Sequence, residues 1–280
     1  MLLGVHISAG NALHEAPERA HALGCNTMQI FSRNPQQWRD FFLKSQEIEE
    51  FNRREAKYKL RPLCIHIPYL INLASPSQQL YHSSVEAYIE DVLEAHMLKA
   101  DYIVTHMGSH KKTSEEAGIA RLIRALNRII EKTSATKVGI LLENTSGSGS
   151  WLGYKFIHQK MIIEGIKKKE RIGLCLDTAH AYLAGYDIAT KEGLEAMLGE
   201  IDFNVGLDKV KLIHLNDARD KLGSRHDRHQ HIGKGYIGVE GMRRIVNHKK
   251  LRNLPFILET PKDTQEADKM NLDFVRALRN

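Results

Sequence analysis

Eight short apolar runs, spread over the whole chain and separated by amphipathic stretches, constrain the fold more than any other feature of this sequence. They occupy residues 2–7, 26–31, 62–67, 101–106, 137–143, 171–177, 208–215 and 254–259. Their near-continuous Val, Ile and Leu content, without strict alternation, predicts strands covered on both faces. Between them, stretches such as 45–58, 83–100, 115–132, 155–169 and 264–278 carry apolar residues at three- and four-residue spacing, which predicts helices. Eight strand-and-helix repeats in 280 residues predict an α/β protein, a single (β/α)8 TIM barrel over residues 1–280 with its active site at the C-terminal ends of the strands. An open doubly wound sheet is the competing arrangement, but it gathers functional residues at one switch point. No linker or low-complexity tract divides the chain.

Six of the runs end in residues able to bind metal: His66, His106, Glu143, Asp177 with His180 three residues on, His214 and Glu259. A lone His at a strand end is more often a hydrogen-bonded structural residue, and a lone Glu an exposed one. Together they resist that reading, because strand ends converge in a barrel and charged groups are almost never buried unless paired or metal-bound. A polar cluster, SRHDRHQH, follows the His214 run. In an extended chain Asp227, His229 and His231 share one face of it, and spacing does not choose between the two histidines. Imidazole and carboxylate without cysteine is the ligand set of catalytic zinc, manganese or iron. More than four such residues imply more than one ion, and paired ions suit the displacement of a phosphate ester.

Composition sets outer bounds. The 42% hydrophobic and 26% charged residues describe a globular protein, and a net charge of +6 permits an anionic partner without requiring one. Three cysteines, Cys25, Cys64 and Cys175, form no C-x-x-C pair, so neither disulfides nor a cysteine zinc site are expected. No run reaches transmembrane length and the first residues lack a signal peptide's charged start, so a reducing cytoplasm and no membrane partner are expected. KKKE at 167–170 reads as a solvated helix face. GKGYIG, with Gly233, Gly235 and Gly238, matches a dinucleotide fingerprint, but the polar segment before it is no hydrophobic strand. Those glycines are expected to shape the loop behind Asp227 and His229, and TSGSGS at 145–150 is expected to be a strand-end loop.

The blocks GVHISAG, HMGSH, LLENTSGSG, GLCLDTAHAYLAGYD, HLNDA, GSRHDRHQHIGKGYIG and LET resemble, in order and spacing, the signature segments of endonuclease IV, a family of metal-dependent apurinic/apyrimidinic endonucleases. The resemblance implies three Zn2+ ions, at positions of which one or more can instead take Mn2+ or Fe2+. It assigns His66, His106 and Glu143 to the first, Glu143 again with Asp177, His214 and Glu259 to the second, and His180, Asp227 and His229 to the third. His231 is then left to a supporting hydrogen bond. It further implies a deoxyribonuclease IV-type hydrolase of the base excision repair pathway. Such an enzyme cleaves 5′ to an abasic site in duplex DNA through a hydroxide on the metals, leaving a 3′-hydroxyl and a 5′-deoxyribose phosphate, and also trims blocked 3′ ends. Glu143 and Glu259 are the expected catalytic residues. Asn34, Gln36, Gln37, Trp38, Arg39, Tyr69, Leu70 and Asn72 lie in the loops expected to meet DNA, and Gln36 stands where some members carry arginine. Met107 replaces a proline of other members. A monomer, associated with the nucleoid in a prokaryotic cell, is expected.

Two other readings compete. A sugar isomerase or epimerase on the same barrel needs only a set such as Glu143, Asp177, His214 and Glu259, and leaves the remaining five residues unexplained. A protein that binds abasic DNA without cutting it predicts lost ligands, and none is lost.

Overall fold

The computed structural model describes residues 1–8, 12–31, 33, 38 and 44–280. In chain order its regular elements are β1 (Leu3–Val5), α1 (Ala16–Ala22), β2 (Met28–Phe31), α2 (Ser45–Tyr58), β3 (Leu63–His66), α3 (Gln78–Met97), β4 (Tyr102–His106), α4 (Glu115–Lys132), β5 (Gly139–Glu143), α5 (Phe156–Gly165), β6 (Ile172–Asp177), α6 (Thr178–Ala184), α7 (Lys191–Asn204), β7 (Val210–His214), β8 (Asp217–Ala218), β9 (His229–Gln230), α8 (Gly238–Asn247), β10 (Phe256–Leu258) and α9 (Ala267–Leu278). Eight strands form one sheet in the order β1-β10-β7-β6-β5-β4-β3-β2, and every neighbour pair is parallel. The ends of that order meet: His6 bridges Gln29, and the Ile7 N–H donates to the Gln29 carbonyl at 2.7 Å. The sheet is therefore a barrel of the expected (β/α)8 type.

All eight predicted strands form, each trimmed by one to three residues at its ends. Helices α2 and α4 have the predicted bounds; Ser114, before α4, accepts from the Ala117 N–H, and Ser77 caps α3 from Leu80 in the same way. Helix α5 stops at Gly165 because Ile166 turns to extended backbone, so the exposed residues 167–170 lie beyond it, the last two in a short 3-10 helix (Lys169–Arg171) leading into β6, and not on the expected helix face. Among the described residues no helix is long and apolar enough to cross a membrane.

Strand alternation sorts the side chains. Outward residues such as Val5, Met28, Ile30, Ile65 and Ile140 pack beneath the helices against Phe51, Leu122 and Ile245. Inward, Cys64, Val104, Leu141, Cys175, Leu212 and Ile257 fill the barrel. The three cysteines are buried free thiols, as expected of small hydrophobes. Two residues beyond each of the six inward residues, on the same face and one layer nearer the C-terminal rim, stand His66, His106, Glu143, Asp177, His214 and Glu259.

Candidate metal centre

Hydrogen-bonded register brings these rim residues side by side, pairing His106 with Glu143 and Asp177 with His214. Glu143 is fully buried at their centre. Its Oε2 lies 3.1 Å from His66 Nε2 and 3.0 Å from His106 Nε2, while Oε1 lies 2.7 Å from His214 Nδ1 and 3.6 Å from His180 Nδ1. One carboxylate thus faces two sets of imidazoles. Glu259 Oε2 stands 3.3 Å and Asp177 Oδ2 4.0 Å from His214 Nδ1.

The turn after β6 carries the next candidate ligands. Asp177 caps α6, its Oδ1 accepting from the His180 N–H at 2.7 Å, which places the two side chains at adjacent points of the rim. His180 Nε2 reaches Asp227 Oδ1 at 2.9 Å, and His229 Nε2 lies 3.8 Å from Asp177 Oδ2 and 3.9 Å from Asp227 Oδ1. His66, His106 and Glu143, then Glu143, Asp177, His214 and Glu259, then Asp177, His180 and His229 each bring ligand atoms within 4.8 Å of one another. All nine predicted residues belong to one connected cluster; Asp227 joins the last group from its edge with a side chain 43% exposed.

His231 is the residue that spacing left open, and it points elsewhere. The extended segment ends at Gln230, where β9 pairs with β8. His231 then bonds Asp263 and Asn271, so it ties the loop to the final helical segment and bonds no candidate ligand.

The loop between β8 and α8 is organised from inside. Asp217 is fully buried, and its carboxylate accepts from the N–H groups of Ala218 (2.8 Å), Gly233, Gly235 and Ile237 (each 3.0 Å), with Gly238 at 3.3 Å. A Cβ on Gly235 would stand 2.3 Å from the Ala218 carbonyl oxygen, and Gly233 and Gly238 have φ of +79° and +70°. The glycines that imitate a dinucleotide fingerprint therefore wrap a carboxylate of the chain itself, as expected of a loop-shaping motif.

Electrostatics couples the groups. Burial opposes the charged form of Glu143, yet the His214 and His106 imidazoles hold its carboxyl well below the usual range. Glu259 is depressed against burial by His214 and His6. Burial works against Asp227 too, and His180 and His229 bring it below the ordinary value. Conversely, burial lowers His214 and His180, but Cys175, Glu259 and Glu143 around the first, and Asp177 and Asp227 around the second, raise both well above 6.5. Among the described residues no Lys or Arg forms an ion pair with these carboxylates; the groups that face them are imidazoles. His229 Nε2 is buried without any hydrogen-bond partner.

Sequence reasoning missed His6, Gln29 and Trp151. His6 and Gln29 are the inward residues of the first two strands, and the signal was a polar residue inside each apolar run. Gln29 Nε2 lies 2.7 Å from Glu259 Oε1, and His6 is held below its usual value by burial. Trp151 stands edge-on to His106 at 5.6 Å. Of the expected DNA loops, Asn34, Gln36, Gln37 and Arg39 lie outside the described residues. Trp38 and Tyr69 are exposed at 41% and 60%, and Leu70 is half-buried. Asn72 is turned inward and spent on the Ser109 main chain and the Ala74 N–H, so its side chain staples two loops together and faces no solvent. Met107 is fully buried against Gly153.

Comparison with known proteins is consistent along the whole length. Residues 17–278 match the family described as xylose isomerase-like TIM barrel. A protein named "Probable endonuclease 4" from Methanoculleus marisnigri is 41% identical over 278 residues, covering 99% of both chains. The crystal structure of endonuclease IV from Thermus thermophilus superposes with a TM-score of 0.88 at 35% identity, over 99% of this chain and 98% of that one. A D-tagatose 3-epimerase-like protein superposes with a TM-score of 0.76 at 20% identity, over 99% and 97%, a likeness of fold alone.

Proposed function

Because the chain belongs to the endonuclease IV family, we propose that it is a metal-dependent DNA repair enzyme hydrolysing the phosphodiester 5′ to an abasic site in duplex DNA. The products are a 3′-hydroxyl and a 5′-deoxyribose phosphate, and blocked 3′ ends are a second substrate. The observation that carries this reading is the clustering of nine carboxylate and imidazole groups, Glu143 at their centre and Asp227 at their edge, with no Lys or Arg among the described residues paired to them.

The donor set fits divalent cations. Imidazole and carboxylate oxygen suit zinc, manganese or iron, and the unpartnered, buried His229 Nε2 is a nitrogen left free for one. Three ions are proposed: His66, His106 and Glu143 would hold one, Glu143 with Asp177, His214 and Glu259 a second, and His180, Asp227 and His229 a third. When bound, such ions polarise the phosphoryl oxygens, activate water and stabilise the leaving oxygen. The chain's residues do the rest. Glu143 presents Oε2 toward His66 and His106 and Oε1 toward His214 and His180. Glu259, tethered through Oε1, keeps Oε2 in the cavity to accept a hydrogen bond from the attacking water and orient it. Trp38, Tyr69 and Trp151 offer aromatic faces at the rim to fill the space of a displaced nucleotide, which leaves the stack at least cost where no base is present.

An isomerase or epimerase would use Glu143, Asp177, His214 and Glu259 and leave His180, Asp227 and His229 without a task. Incubating the purified protein with a duplex bearing one abasic-site analogue, with and without chelator, tests the assignment. Incision 5′ to the lesion, abolished by chelator and reduced at least about 100-fold in Glu259→Gln, is expected. Undiminished incision by that variant, or none by the metal-loaded wild type, would overturn it, and elemental analysis would identify the ions.

A further inference from the structure

Four of the five candidate imidazoles have the nitrogen remote from the cavity engaged. His66 Nδ1 bonds the Ile67 carbonyl at 2.7 Å, His180 Nδ1 the Asn144 carbonyl at 2.9 Å and His229 Nδ1 the Glu259 carbonyl at 3.0 Å. A carbonyl can only accept, so each remote nitrogen carries the hydrogen and each Nε2 is left for the cavity. His214 has the opposite arrangement: Nδ1 faces the carboxylates, and Nε2 meets the side-chain oxygen of Gln29 at 2.9 Å. It alone of the four depends on another side chain.

The Gln29 amide has only one orientation that satisfies its neighbours. Its other end lies 2.7 Å from Glu259 Oε1 and 2.9 Å from His6 Nδ1. A carboxylate oxygen cannot donate, so nitrogen must face Glu259, and oxygen must then face His214. The amide nitrogen donates to Glu259 Oε1, and His6 Nδ1 stands 2.9 Å from that nitrogen and 3.3 Å from the same carboxylate oxygen. Gln29 is fully buried, on β2 beside the seam where the barrel closes, with the Phe31 ring packed on His6 at 4.2 Å between centroids.

We propose that Gln29 is a positioning residue of the metal centre, which keeps the hydrogen of His214 on Nε2 so that Nδ1 is the ligand, and pins Glu259 by Oε1 so that Oε2 is the ligand. The Glu259 carboxylate, which can only accept, keeps the amide from flipping, and His6 packs beside both. Two ligands from distant strands are thus set by one side chain that binds no metal itself. The proposal rests on the metal reading above. It also assigns a reason for a polar residue within an otherwise apolar second strand.

The test uses the full chain, stripped of metal and titrated with zinc against a chromophoric chelator, for wild type and for Gln29→Met, which keeps length and bulk but loses the amide. Loss of such an orienting partner typically weakens metal binding about 10- to 100-fold, and that loss is expected for the weakest zinc site the wild type fills. A folded Gln29→Met chain with zinc affinity within about twofold of wild type overturns the role of Gln29 while leaving the metal reading intact; wild type that takes up no zinc removes both. A second measurement needs no stable Gln29 variant. In zinc-loaded wild type labelled with 15N-histidine, His214, assigned by comparison with His214→Gln, is expected to carry its proton on Nε2. A proton on Nδ1 overturns the proposal.

Discussion

Glu143 and Asp227 each offer a carboxylate to imidazoles of the same cavity, yet they are held in different ways. Glu143 ends a central strand, is completely buried and is fixed by parallel register to His106 on one side and Cys175 on the other. Asp227 hangs from a loop between two-residue strands, with its side chain 43% exposed and its place set by contacts with His180 and His229. A strand position inherits its geometry from the barrel; a loop position needs a device of its own. Here that device is the Asp217 carboxylate with its collar of N–H groups, which fixes both ends of the loop from inside.

The two regions should fail differently. Glu143→Gln keeps the size of the side chain but removes the charge shared by two ligand groups. Losing several kcal/mol of charge stabilisation corresponds, at tenfold per 1.36 kcal/mol, to a drop in incision of about 1,000-fold. Zinc content measured on the same preparation should fall by more than one ion per chain. Retention of all the zinc would mean that Glu143 is not shared.

Asp217→Ala probes the other region. Its buried N–H groups lose their acceptor, and unsatisfied donors of that kind cost about 1–3 kcal/mol each, so a stability loss of roughly 3 kcal/mol or more is expected in urea unfolding. Metal content should fall by a single ion, the one assigned to His180, Asp227 and His229, while the strand-borne ligands keep theirs. His229→Ala should lose that same ion with little change in stability, since its ring is at the rim. If Asp217→Ala empties the whole cavity, the loop and the strands are not separate supports and the contrast between them is broken.

How far each region was legible in the sequence follows from the same contrast. Period-two alternation runs from Cys64 to His66 and from Leu141 to Glu143, so a charged residue at the end of an apolar run already implies a side chain on the inner face. That rule reaches every strand-borne candidate ligand. It also covered His6 and Gln29, which went unread because neither ends its run. Beyond the strands alternation carries no information: Asp227, His229 and His231 share a face only in an extended chain, and this one turns after Gln230. There the resemblance to endonuclease IV, not the spacing, separated His229 from His231. Asp217 was invisible as an anchor because its partners are backbone N–H groups, which any sequence supplies; only the glycines that let the backbone approach left a trace. Asn72 was misjudged for a related reason, since an amide in a polar loop reads as a contact for DNA whether it points outward or, as here, back into the protein.

The smallest effect expected is a dependence of stability on pH that metal alters. In the stripped chain His214 and His180 are raised well above 6.5, and His106 is also raised, by Glu143 against burial. A raised imidazole contributes stability that is complete below 6.5 and is lost as pH climbs through the raised value, whereas depressed Glu143, Glu259 and Asp227 lose their contribution only in strong acid. With chelator present, the melting temperature should therefore fall as pH climbs above 6.5, by roughly 2–4 °C for each kcal/mol lost. Zinc displaces those protons and binds better as they leave, so the gap between loaded and stripped protein should widen with pH. Asp227→Asn separates the regions within that effect. It removes a partner that raises His180 and leaves His214 untouched, so the decline should shrink but persist. A stripped protein whose melting temperature is flat or rising across this range would mean that imidazolium protons do not balance the carboxylates in either region.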